Sequence, residues 1–273
     1  MVFDVSTPAK MEQSVAGILS ISEDTLRDII RAFDIQAQSP EKDMMDFAVP
    51  FIQKHLTQNI ESVYLYHLNR SIDEPKELFP LYKVLTTKNS FSDYLLSKDI
   101  AFDYSNKKIH IIYRGHNIPE ISLYNPDSVR NEHSLLASRF GYFKTPDFCV
   151  NGFLHPIQPE KSTEEYYISL SFGPEIMGCL ERFLKIDGLQ SDYKRLSKYY
   201  YSAVLLPLDD MIFDNKESLT DPRDKTIEYL YSCIDFLSDW YNQYNLLSNR
   251  MIRVNDHTSL TIDHNLLLPE PWK

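Results

Sequence analysis

Two apolar runs in this chain end in side chains that can do chemistry. "SVYLYHLNR" (62–70) carries His67 and Arg70, and "IHIIYRGH" (109–116) carries Tyr113, Arg114 and His116. A guanidinium is a planar fork of N–H donors that matches the oxygens of a phosphate or carboxylate. An imidazole or phenol beside it can orient a sugar hydroxyl or a ring. A carboxylate would complete the set by stabilising positive charge that develops at a sugar carbon. Glu164, Glu165 and Glu175 flank the run "YYISLSFGP" and are available for that part.

If both runs are strands whose ends share one sheet rim, Arg70, Arg114 and His116 would bind an anionic substrate. His67, Tyr113 and Glu175 would then act at the reacting centre. A His, a Tyr and a Glu on successive strands is the order used by enzymes that transfer ADP-ribose from NAD; here it is a statement about chemistry, not about family. The expected function is an enzyme acting on a nucleotide-like or phosphorylated small molecule, with an NAD-using transferase as its narrowest form. Each residue also has a plainer role: His67 as a hydrogen-bonded core histidine, Arg70 and Arg114 as strand ends meeting water, Tyr113 as sheet filler. The alternative is a noncatalytic interaction or regulatory protein, binding a protein partner or a second copy. Segments around Tyr199–Tyr201, or the tail at Trp272, would be its aromatic anchors.

Other chemistries find less support. The eight histidines form no His-Glu-x-x-His pattern, and Cys149, Cys179 and Cys233 make no Cys-x-x-Cys pair, so no metal is expected. A Cys149–His155 dyad along "CVNGFLH" would need a bulge at Gly152 to bring the pair together. The Asn-Gly pair within "DFCVNGFLHPI" suits a two-residue hairpin turn better. No Gly-x-Ser-x-Gly elbow or Gly-rich phosphate loop occurs, and no motif specifies a cofactor.

A net charge of −11 argues against nonspecific nucleic-acid binding, which needs basic surface to displace phosphate counterions. The basic run "DYKRLSKYY" (192–200) reads as the solvated face of a helix. An odd, scattered set of three cysteines fits a reducing compartment. With no signal-peptide pattern and no apolar stretch of bilayer length, a soluble, cytoplasmic protein is expected.

The elements that must position these groups follow from periodicity and punctuation. Ser22 can cap a helix with Leu26, Ile29, Ile30 and Phe33 on one face, and a second helix runs over 43–58, kinked or split by Pro50. "IAFDYSNKKIHIIYRG" predicts a hairpin with a three- or four-residue turn at "SNKK". Helices are expected over 128–141, over 174–187 and, longest, from Asp221 onward, where Ile227, Leu230, Tyr231, Ile234, Leu237 and Tyr241 form a stripe. Strands are expected at 147–157, 164–173 and 199–208, with a closing hairpin turning near Asp256–Ser259. The fold class is α+β: a single compact domain with a mixed or antiparallel sheet and flanking helices. Residues 1–60 would be a helical N-terminal extension and 61–273 the α+β domain.

Overall fold

The computed structural model describes residues 2–37, 43–119, 132–142, 148–156, 171–213, 216–243, 250–254 and 259–270. Along the chain, β1 (Val2–Phe3) leads to α1 (Pro8–Ile18), α2 (Glu23–Ala37) and α3 (Met45–His55). Then come β2 (Ser62–Ser71), β3 (Glu77–Leu78), α4 (Leu81–Thr86), α5 (Ser90–Leu96), β4 (Ile100–Ser105), β5 (Lys108–Tyr113) and β6 (His116–Asn117). After them come α6 (Glu132–Arg139), β7 (Asn151–Phe153), α7 (Glu175–Leu184), α8 (Leu189–Leu196) and β8 (Lys198–Pro207). The chain finishes with β9 (Met211–Phe213), α9 (Pro222–Tyr241), β10 (Met251–Val254), β11 (Leu260–Thr261) and β12 (His264–Leu267). This is an α+β fold.

It divides into two compact units, each assembled from separate stretches. One comprises Met1–His67, Asn151–Glu164 and Ala203–Val254; the other comprises Leu68–Val150, Glu165–Ser202 and Asn255–Lys273. Strands β2 and β8 each contribute residues to both.

In the first unit, α9 packs against α1, α2 and α3. Its sequence suggested an amphipathic stripe, but Lys225 to Ile234 are all buried, with Phe236 to Ser238 buried as well. A helix buried all round is a core element, and Tyr229, Cys233 and Phe236 fill the side that the stripe left out. Asp221 caps it by accepting from the Arg223 and Asp224 N–H groups, and Pro222 sits where a missing donor costs nothing. Ser22 starts α2 as its sequence implies, its Oγ accepting from Thr25 N–H at 3.1 Å. Helix α3 continues through Pro50 unbroken. Strand β7 lies antiparallel between β2 and β10, with Tyr66 opposite Phe153 and Ile252 opposite Gly152. β9 follows β10, and β1 runs parallel beside β2.

The expected turn at Asn151–Gly152 is therefore a strand. A Cβ on Gly152 would lie 2.4 Å from Leu65 Cδ1 and 2.8 Å from Tyr66 O, so the glycine serves close backbone approach, not a turn.

The second unit is built on a core that joins α4, α5, β4, β5, α6, α7 and α8 through Leu95, Ile109, Leu136, Phe140, Met177, Leu180 and Tyr193. The predicted hairpin is present, with Ile100 to Ser105 paired to Tyr113 to Lys108. Its turn has two residues, Asn106 and Lys107, at φ 53° and 58°, the left-handed pair that matches strand twist. A second tight turn follows at Arg114 and Gly115, φ 52° and 77°, pairing Tyr113 with His116.

Among the described residues no hairpin closes the tail: β10 pairs β7 and β9, β11 pairs β3, and β12 pairs β8. The expected turn residues 256–258, most of the expected strand 164–173 and Trp272 lie outside the described residues. Among the described residues, no helix is long and apolar enough to cross a membrane.

Candidate oxyanion cradle

Arg70 is the sequence-predicted residue with the most developed surroundings. It is 3% exposed near the end of β2, in the second unit. Its Nε–H donates to Ser171 O at 3.0 Å, and Nη1–H donates to Glu270 Oε1 at 3.1 Å. Nη2–H also donates to Glu270 Oε1. The guanidinium carbon lies 5.9 Å from the centre of the Tyr199 ring, and Tyr193 OH donates to Arg70 O at 3.0 Å. Lys194 Nζ stands 3.7 Å from Glu270 Oε2, within ion-pair reach but too far for a hydrogen bond, and 4.2 Å from the Phe172 ring centre. A buried cation without an anion would be strongly disfavoured, so Glu270 is what allows the guanidinium to stay inside. Together these groups form a cradle of two cations around one carboxylate, walled by aromatic rings.

His67 belongs to the first unit, with Nδ1–H donating to Asn151 O at 2.7 Å. A carbonyl can only accept, so the neutral ring keeps Nε2 as an acceptor. Burial pushes its pKa down, and the Asn151 hydrogen bond opposes this only in part.

Tyr113, Arg114 and His116 occupy the β5–β6 turn. Arg114 and His116 are exposed, and the Arg114 guanidinium stacks 5.0 Å from the Tyr113 ring. These three belong to the sheet β4–β5–β6, whereas Arg70 lies on β2, which is not one of its strands. Glu175 opens α7, where a carboxylate suits the positive helix end, and accepts from Arg139 Nη2 at 3.1 Å. Among the contacts of the described residues, Arg70 shares no partner with Tyr113, Arg114, His116 or Glu175. Glu164 and Glu165 lie outside the described residues.

One expectation about the aromatic segments is corrected. Tyr199, Tyr200 and Tyr201 are buried, so they present no exposed aromatic anchor. Within the basic run, Tyr193 is buried and Asp192 takes both Lys98, at 2.9 Å, and Arg195. His155 is fully buried, its Nε2 facing Ser232 Oγ at 3.0 Å and Ser232 O at 3.1 Å. Burial is the main reason its pKa falls to about 3.

Glu270, Lys194, Tyr193 and Ser171 escaped sequence reasoning. Lys194 and Tyr193 stood inside the basic run, and Ser171 inside an expected strand. Glu270 had no local signal at all, because it meets Arg70 from far along the chain. Among the described residues, no group of three or more His, Cys, Asp or Glu is arranged to hold a metal ion. No protein-family model, no curated protein and no solved structure matches the chain.

Proposed function

We propose that this protein binds a nucleotide-like or phosphorylated small molecule through its anionic group at Arg70 and Lys194. One observation carries this reading: a buried guanidinium fork already holds an oxyanion, the Glu270 carboxylate, with a second cation beside it. A phosphate offers more oxygens than a carboxylate in the same space and would engage both cations. Phe172, half-exposed under Lys194, offers a ring on which a base could stack. The proposal concerns binding. Transfer chemistry by His67, Tyr113 and Glu175 would require them to converge, and each is held by a different partner: the Asn151 carbonyl, the Arg114 guanidinium and Arg139.

Calorimetric titration with phosphate, pyrophosphate, ADP and NAD tests it. Saturable binding is expected, weakened roughly tenfold in Lys194→Ala, the worth of one charge-assisted contact. Absence of saturable binding in both the wild type and Glu270→Gln would refute the reading.

A second reading, self-association, is favoured by Leu266 and Leu267, 54% and 57% exposed on β12 at the end of the sheet order. Among the described residues β12 has one strand neighbour, and an edge strand can pair antiparallel with its own copy about a two-fold axis. Light scattering checks this: a dimer that Leu266→Lys dissociates supports it, and a monomer at all concentrations excludes it.

A further inference from the structure

We infer that Glu270 is a built-in competitor for the Arg70 fork, and that the stretch from Leu260 to Glu270 is a strap that must release before an external oxyanion enters. This rests on the anion-binding reading above and adds its regulation. The Arg70 side chain is 1% exposed while that of Glu270 is 31% exposed, so the resident glutamate reaches solvent by its stem while its carboxylate Oε2 is buried beside the fork.

The carboxylate is also an incomplete match. A fork normally grips two oxygens in parallel, but here both terminal nitrogens converge on Oε1. Oε2 is buried and accepts no hydrogen bond among the described residues. A phosphate would give each nitrogen its own oxygen and leave another for Lys194. Exchange therefore has a direction: the incoming group satisfies donors that the resident one leaves underused.

The strap is fastened by strand pairing, β12 on β8 and β11 on β3, and by few buried side chains. Leu260 pairs with Leu78 and Ile262 N–H donates to Lys76 O at 3.0 Å. The Asn265 side chain ties to Ser202 Oγ at 2.7 Å and to Pro75 O, also at 2.7 Å, and Leu268 N–H donates to Tyr199 O at 2.9 Å. Leu260 and Leu268 are buried, whereas Leu266 and Leu267 face outward. Segments with few buried apolar contacts open locally at low cost, so release need not unfold the unit.

Pyrophosphate is the probe. Calorimetry should show it binding Glu270→Gln about tenfold or more tightly than wild type, since removing an occupant raises the competent fraction. In the wild type, saturating pyrophosphate should speed hydrogen exchange at the Leu268 amide. Equal affinity in both proteins, with Leu268 protection unchanged, overturns the competitor while leaving the binding site standing. Binding by neither protein overturns the site reading itself. If Glu270→Gln fails to fold, the Leu268 exchange measurement on the wild type decides alone: acceleration supports the strap, and unchanged protection rejects it.

Discussion

Arg70 and Glu270 are 200 positions apart in the chain, yet Nη1 of one lies 3.1 Å from Oε1 of the other. The contact ties the end of β2 to the segment after β12. Breaking it by removing one member leaves the other charge uncompensated. Arg70→Ala is expected to cost about 3 kcal/mol, the scale for orphaning a buried ion, and Arg70→Lys should recover only part because the fork is lost. Urea unfolding of both variants checks this. A double-mutant cycle with Glu270→Ala should give a coupling energy of about 1 kcal/mol or more; additivity would mean that the pair does not stabilise the fold.

His155 makes stability depend on pH. Its folded pKa lies near 3, against an ordinary value of 6.5, so between those limits the unfolded chain binds a proton that the folded chain refuses. Its effect is absent above pH 6.5 and destabilises progressively as pH falls from 6.5 towards 3. The slope approaches about 1.4 kcal/mol per pH unit for this one group. Unfolding free energies at pH 7 and 5 should diverge more in the wild type than in His155→Gln. His67, whose pKa is also lowered by burial, acts in the same direction.

Two glycines separate strain from crowding. Gly115 sits at φ 77° with nothing within 4 Å of an added Cβ, so Gly115→Ala should cost about 1 kcal/mol through backbone strain alone. Gly152 has an ordinary φ but no room, and Gly152→Ala forces Leu65 and the Tyr66 carbonyl apart, an overpacking cost of roughly 1–3 kcal/mol. Thermal melting of the two variants should rank Gly152→Ala as the more damaging.

The Glu175–Arg139 pair is the counter-case to Arg70–Glu270. Both side chains are partly exposed, 49% and 29%, so Glu175→Ala should cost under about 1 kcal/mol, less in high salt. Pyrophosphate affinity should be unchanged. A loss of ligand binding in this variant would instead restore Glu175 to the functional site.

Much of the fold could be read locally. Ser22 and Asp221 mark helix starts because their side chains satisfy N–H groups within three positions. The β4–β5 hairpin shows as two β-prone runs around polar residues, although Lys107 in a left-handed turn position concealed the turn length. Arg114 concealed the β5–β6 turn in the same way, so "YRGH" reads as a strand end where the chain makes a tight turn. Asn151–Gly152 misled in the opposite direction: its turn-forming chemistry is local, whereas its actual constraint comes from Leu65 and Tyr66.

By itself, the sequence determined what depends on neighbours a few positions away: helix periodicity, capping, alternation, and the presence of an arginine fork at a strand end. The tertiary structure alone decided which groups meet. It buried α9 on all sides, turned Tyr199–Tyr201 inward and delivered Glu270 to Arg70. The physical reason is that a buried charge takes its partner wherever packing supplies one, and no periodicity in the chain encodes a partner so remote.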